Sequence, residues 1–251
     1  MPRQGPGNKK TSELVLSMID AYSGVRPGSF KPRVLDIGCG PGMQTVLIAE
    51  HYPGCAVTAL DYYPQYLDEL MVSAVSAGVA GRILPIEGSM SAMSFGAESF
   101  DIIWSEGAIY IIGFTAGLNE WKPFLKPGGW MGVSEATWLT DTRPAEIEEF
   151  WNKAYPEMDT IAGNIQKILA AGYAPIGTFL LPAAAWYEDY YDPLIERIAL
   201  CRHIAEKDST YRDELLRILE EEEREIDLFR RFSDYYGYVF YLMRKPDSKE
   251  G

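Results

Sequence analysis

Short apolar runs alternate with stretches of helical spacing along most of the chain, and this alternation predicts its elements. Val34, Leu35 and Ile37, interrupted by Asp36, read as a short buried strand. The run enters the turn Gly38-Cys39-Gly40-Pro41-Gly42, and behind it Met43, Val46 and Leu47 open a helix. Further strands are expected over 56–60, 82–86, 102–104 and from Trp130 onward. Between them, Leu67, Leu70, Met71, Ala74 and Val75, and then Leu118, Trp121, Phe124 and Leu125, recur at helical intervals. Before the first strand, Leu14, Val15, Met18, Ile19 and Tyr22 share a helix face, with Thr11 or Ser12 as the cap and Gly24 as the stop. Pro144 starts an acidic helix through Trp151, and a second helix covers about 160–171. Two late strands are expected at 176–181 and 238–244. The segment between them carries Leu215, Leu216, Leu219, Ile226 and Phe229 at helical spacing. Its acidic run at 220–223 reads as a solvated face.

Strand, glycine turn, helix is the nucleotide-cradling unit of a doubly wound sheet, and glycines let the backbone approach a ligand. A dinucleotide fingerprint needs a sixth-position glycine, where this chain has Met43. The pattern is instead Asp36-x-Gly38-x-Gly40-x-Gly42. An acid two residues before the first glycine repels a pyrophosphate but suits a cationic ligand. Asp61, at the end of the second strand, lies about twenty residues past the turn, where a carboxylate meets a ribose diol.

On these residues the chain resembles the class I S-adenosylmethionine (SAM)-dependent methyltransferases. Lys126-Pro127-Gly128-Gly129 before strand five and Ala171-Gly172-Tyr173 before strand six are further landmarks in the right order. Ser105-Glu106-Gly107-Ala108-Ile109-Tyr110 is similar to the loop after strand four of a small-molecule branch. The resemblance implies an α/β, Rossmann-like doubly wound sheet of seven strands with strand seven antiparallel. It also implies one domain over 1–251, with its core at about 11–181 and 237–245. An α-helical lid is inserted between strands six and seven, at about 183–236. SAM is the implied cofactor and S-adenosylhomocysteine (SAH) the product. Asp36, Gly38, Cys39, Gly40, Gln44, Asp61, Tyr62, Ser89, Met90 and Glu106 are the implied cofactor contacts, Tyr62 against the adenine. Ser89 departs from the family's usual acid at this place. No Asn/Asp-Pro-Pro-Tyr-like turn follows strand four, which argues against nucleobase or glutamine amino groups as acceptors.

Charge narrows the partners. The net charge of −13 argues against nucleic acid and anionic membrane surfaces. No apolar run has the length of a membrane span, and no signal-peptide pattern is seen. Cys39, Cys55 and Cys201 form no CxxC and read as reduced thiols of a cytoplasmic protein. His51 and His203 stand apart, and no metal-ligand spacing occurs. His51 is expected at a helix C-terminus, where it meets the dipole. A homodimer is kept open. Residues 1–10 read either as a disordered tail or as a flap whose Arg3 and Gln4 reach a carboxylate.

The expected activity is methylation of a small molecule. Residues beyond the carboxyl ends of strands face the ligand, so Glu106, Tyr110 and Glu135 are the catalytic candidates. For Glu106 a contact to the SAM ammonium is an equal reading, and for Glu135 a loop cap. Tyr110, Trp138, Trp186 and Tyr187 are the expected substrate residues. An acidic, aromatic pocket leans to an amine acceptor. The alternatives are C- or O-methylation of a quinone-like or aromatic molecule, aminopropyl transfer, and a non-catalytic SAM-binding module.

Overall fold

The computed structural model describes residues 1–24, 28–207 and 212–247. The order is α1 (Lys9–Ser23), β1 (Arg33–Ile37), α2 (Met43–His51), β2 (Ala56–Asp61), α3 (Pro64–Ser76), β3 (Ile83–Glu87), β4 (Phe100–Glu106), α4 (Phe114–Trp121) and β5 (Leu125–Trp138). There follow α5 (Ala145–Ala154), β6 (Asp159–Thr160), α6 (Ile161–Ala170), β7 (Ala174–Leu180), α7 (Ala184–Trp186), α8 (Asp192–Lys207), α9 (Arg212–Phe232) and β8 (Tyr236–Arg244).

Seven strands form one path in the order β3-β2-β1-β4-β5-β8-β7, and the two-residue β6 pairs β5 beside it. β1 to β5 are mutually parallel, and β8 runs antiparallel to both β5 and β7. The expected seven-strand doubly wound sheet is therefore present, with its last strand reversed. The central strands are buried on both faces, as parallel strands must be. Val34, Ile102 and Trp104 join the cluster beneath α1, α2 and α3, with Val15, Ile48 and Leu70. Leu35, Ile37, Ile103 and Val133 join the opposite cluster, with Phe114 and Leu118 of α4 and Ile168 of α6.

Two boundaries differ from the sequence expectation. α1 begins earlier, because Asn8 forms a capping box with Thr11: the Asn8 side chain accepts from Thr11 N, and the Thr11 hydroxyl accepts from Asn8 N. β5 begins at Leu125 and runs through Lys126-Pro127-Gly128-Gly129, and its register against β4 shifts between Phe100 and Ile102. His51 closes α2 as expected, and also bonds the Asp20 carboxylate at 2.7 Å, tying α2 to α1.

The segment between β7 and β8 is helical over 184–207 and 212–232. Its core is the Trp186 indole, stacked on Phe229 at 3.9 Å and edge-on to Tyr238 at 5.3 Å. Among the described residues, no helix is long and apolar enough to cross a membrane, and no group of three or more His, Cys, Asp or Glu is arranged to hold a metal.

Candidate active site

The chain leaves β1 toward β2 on one side and returns to β4 on the other, so the strand order reverses between β1 and β4. A crevice opens at such a switch point, at the carboxyl ends of the strands. Here it is a cavity of about 530 Å³. The glycine turn forms its floor, the loops after β2 and β3 one side, and the loop after β4 the other.

Two glycines are required by contact. Gly38 has φ +69°, and a Cβ there would stand 2.5 Å from the Ala108 Cβ. Gly42, the N-cap of α2, has φ +87°, and a Cβ would collide with Leu70 of α3. The turn is tied to β2 by Gly38 N and Cys39 N, which both donate to the Leu60 carbonyl. Asp61 completes the link. Its Oδ2 accepts from Gly40 N at 2.8 Å and its Oδ1 from Tyr63 N at 3.0 Å. Both oxygens retain a lone pair, and Asp61 lines the cavity.

Asp36 lies deeper. It is fully buried, does not line the cavity, and accepts from the Thr45 hydroxyl at 2.5 Å. Its Oδ1 has no partner among the described residues. Burial pushes the carboxyl up to about 7, the Thr45 bond opposing and the Glu106 charge adding to the rise. Asp36 thus sits beneath the turn and does not meet the cavity directly.

Cys39, Gly40, Gln44, Tyr62, Ser89 and Met90 line the cavity. Gln44 Nε2 donates to the Cys39 carbonyl at 2.9 Å and holds the turn. Burial, with the nearby Asp36 and Asp61 charges, pushes the Cys39 thiol far up. The Ser89 hydroxyl bonds that of Ser91 at 2.9 Å, and the Met90 carbonyl accepts from Trp121 Nε1.

Glu106 ends β4 on the opposite wall and accepts three bonds. Oε2 meets Arg3 Nη2 at 2.5 Å, and Oε1 accepts from Ser12 at 2.6 Å and Trp104 Nε1 at 2.9 Å. Both side chains of the ion pair are nearly fully buried, yet both residues line the cavity. Residues 1–8 therefore lie across the site as a strap, which answers the open reading of residues 1–10 in favour of the flap. Gly7 N donates to the Ala185 carbonyl, and Asn8 Nδ2 donates to Glu188, so the strap is fastened to the helical segment as well.

Tyr110 lines the open side and is 41% exposed. Glu135 does not line the cavity. It is 1% exposed, and neither oxygen has a well-formed hydrogen bond among the described residues. Burial pushes its carboxyl up to about 8, while the adjacent Tyr155 hydroxyl and Lys167 pull it down. The Tyr110 ring packs against Tyr155 at 5.9 Å, which connects Glu135 to the cavity wall. The loop-cap reading of Glu135 has no bond to rest on.

The expected substrate aromatics lie elsewhere. Trp138 is buried, with the Arg143 guanidinium over its ring at 4.3 Å. Trp186 is core, and Tyr187 packs on Tyr191 and Phe229. None of the three lines the cavity. The reason is local: β8 brings Tyr236 and Tyr238 beside the helical segment, and these rings take up the indole faces. Ser12 at the Glu106 end, and Tyr63 and Tyr66 at the other, were not singled out for these places. Ser12 has a sequence signal, since it shares the buried face of α1 with Val15, Leu16 and Ile19.

A seven-stranded doubly wound sheet with a reversed last strand, a glycine turn at its switch point and an acid after β2 is the class I SAM-dependent methyltransferase fold. The comparisons with known proteins agree. Residues 34–129 match the methyltransferase domain family. Over 98 residues the chain is 34% identical to trans-aconitate 2-methyltransferase of Streptomyces avermitilis, covering 39% of this chain and 36% of that protein. Over 122 residues it is 30% identical to malonyl-[acyl-carrier protein] O-methyltransferase of Paenibacillus sp., covering 47% and 43%. The chain thus spans less than half the length of these curated relatives. A SAM-dependent methyltransferase from Geobacter sulfurreducens, crystallised with SAH, superposes with a TM-score of 0.79 at 17% identity, covering 96% of this chain and 92% of that one. Residues 34–129 thus match a methyltransferase domain, and the chain as a whole has the fold of the SAM-dependent methyltransferases.

Proposed function

We propose that the protein binds SAM in the cavity and methylates a small-molecule acceptor, an amine being the class it suits best. Asp61 carries the reading. Backbone N–H groups of the glycine turn and of Tyr63 aim its carboxylate, which keeps two lone pairs for the two hydroxyls of a ribose. The amino-acid end of SAM is a zwitterion, and the cavity offers it one cation and one anion, Arg3 and Glu106. The SAH complex of the Geobacter sulfurreducens relative supports the same cofactor here.

SAM supplies an already activated methyl group, so the protein's task is mainly placement, an effect worth about 7–11 kcal/mol. The glycine turn lets backbone reach the ligand, Glu106 and Arg3 hold one end of it, and Asp61 the other. Tyr110 stands where an acceptor enters. An amine arriving as an ammonium must lose a proton, and Glu135, a buried carboxyl pushed up to about 8, can take it only in the molecules in which it is ionised. Methylation at carbon or oxygen of an aromatic molecule is the second reading. The exposed Tyr62, Tyr63 and Ile111 at the cavity mouth favour it.

Calorimetry tests the cofactor reading. SAM and SAH are expected to bind, and NAD is not, because its pyrophosphate would face Glu106 and Asp61. Binding of NAD in preference to SAH would refute the reading. A metabolite screen that follows SAM consumption then identifies the acceptor.

Arg3 separates the two ends of the ligand. Arg3→Ala is expected to weaken SAH by roughly tenfold, about 1.4 kcal/mol, through a lost charged hydrogen bond. It should leave 5′-methylthioadenosine, which lacks the amino-acid end, much less affected. Equal losses for both ligands would show that Arg3 acts only through the fold.

A further inference from the structure

Beside the cofactor cavity lies a second one, of about 370 Å³. Gln4 of the strap and Tyr66 of α3 line both, so the two spaces are neighbours across these side chains. Tyr66 packs edge-on to Tyr63 at 5.7 Å, and Tyr63 faces the cofactor cavity. The helical segment supplies the rest of the annex: Arg197 from α8, Glu222 from α9, and Tyr190 from the helical turn that precedes α8. The Tyr190 ring is held by stacking on Tyr191, with centroids 4.9 Å apart. The volume is in the range of small-ligand sites.

The charges around this annex do not satisfy one another. α8 and α9 are joined by Arg202 and Glu223, whose two bonds measure 3.0 and 2.6 Å. One residue away on α9 and five on α8, Glu222 and Arg197 face the cavity instead, with Glu69 of α3 lining the same space. Among the described residues, none of these three makes a hydrogen bond or an ion pair. Glu225, one turn further along α9, is engaged: its Oε1 accepts from the Tyr191 hydroxyl at 2.9 Å. Arg197 and Glu69 are exposed and Glu222 is half-buried. Burial, and then the neighbouring Glu221, hold the Glu222 carboxyl above the usual range, and a bound cation would relieve its charge.

One cation and two anions set around a space of ligand size fit a ligand that carries both signs. A simple ammonium would meet Arg197 as a like charge, and a simple carboxylate would meet the two acids. The planar fork of arginine suits a carboxylate in particular.

Resting on the methyltransferase reading, we propose that the annex anchors the acceptor, and that the acceptor is an α-amino acid whose side chain carries the amine to be methylated. Arg197 takes its α-carboxylate, and Glu222 with Glu69 its α-ammonium. The side chain extends past Gln4 and Tyr66 and presents its nitrogen to the cofactor cavity. Tyr66 and Tyr190 give its carbon chain an apolar wall. The annex then selects the acceptor, while the glycine turn and Asp61 select the cofactor.

SAH affinity of the full chain, measured first by calorimetry, reports on the cofactor reading alone. The chain saturated with SAH is then titrated with L-lysine, L-ornithine and L-histidine, and with cadaverine, putrescine and histamine, which lack the carboxylate. At least one amino acid is expected to bind, at least tenfold more tightly than its decarboxylated counterpart. Arg197 is exposed, so its substitution leaves the core untouched. Arg197→Gln should remove the advantage, lowering the amino acid at least tenfold and leaving the amine unchanged or tighter. Glu222→Gln should weaken both. SAH affinity should stay within twofold in either variant. No binding by any of the three amino acids, an advantage that survives Arg197→Gln, or a loss confined to SAH would each overturn the proposal. Should SAH itself not bind, the same titrations of the ligand-free chain still decide the annex.

Discussion

Asp61→Ala is expected to abolish most cofactor affinity while leaving the chain folded. Its carboxylate would accept from both ribose hydroxyls, and charged hydrogen bonds contribute about 1.5–3 kcal/mol each. The loss is therefore on the order of 3–6 kcal/mol, or about two to four decades in SAH Kd. Part of it comes from the turn itself. Without the carboxylate, Gly40 N and Tyr63 N lose their acceptor, and the turn is held to β2 only by the two bonds to the Leu60 carbonyl. Asp61→Asn separates the contributions. Its amide oxygen can keep one backbone bond, while the full charge is gone, so it should bind SAH with intermediate affinity. Calorimetric affinity for SAH unchanged in Asp61→Ala would remove Asp61 from the cofactor site.

The second large effect is on stability against pH. Glu135 is raised by burial from 4.5 to about 8 in the folded chain. Between those values the unfolded chain has released the proton and the folded chain still holds it. The folded state thus binds more protons, and stability falls as pH rises through this window. At about 1.36 kcal/mol per unit the cost at pH 8 is on the order of 4 kcal/mol. Glu135→Gln has no proton to lose. It should match the wild type at pH 5 in denaturant unfolding and exceed it by several kcal/mol at pH 8. Asp36, raised to about 7, acts in the same direction and leaves a residual slope in the variant. Groups near Glu135 modulate the size but not the sign: Tyr155 and Lys167 lower its pKa, and Glu157 raises it. A wild type whose stability rises from pH 5 to pH 8, with the variant parallel to it, would show that Glu135 is ionised throughout. If Glu135 receives the acceptor's proton, the more stable variant should also be the slower enzyme. Stability retained against function in this way is common where a site holds a strained group.

The elements of the core were legible because each is written locally. Apolar runs mark the doubly buried strands, three-to-four spacing marks the helices that cover them, and glycines mark the turns. The glycine turn and Asp61 were legible for the same reason, since the turn and the acid follow directly on their strands. Asp36 shows the limit of that logic. Its spacing placed it in the motif, but strand alternation turns its side chain under the turn, onto Thr45.

What the sequence by itself determined is the sheet, its order of turns and the cofactor cradle, since these depend on period, turn chemistry and distance along one strand. Contacts between distant segments were decided only by the tertiary structure. Arg3 and Glu106 are 103 residues apart, and their pairing depends on α1 seating Ser12 against the same carboxylate. Trp138 and Trp186 looked like substrate residues because aromatic rings serve pockets and cores alike. β8 decided for the core by setting Tyr236 and Tyr238 against them. Glu222 and Glu225 carried a faint local sign. Glu222 falls between Leu219 and Ile226 in the apolar stripe, and Glu225 stands one turn before Phe229. Spacing alone does not say whether such an acid meets water or a wall of phenols. That depends on which surface the helix covers, and burial is a property of the neighbours that only the folded chain supplies.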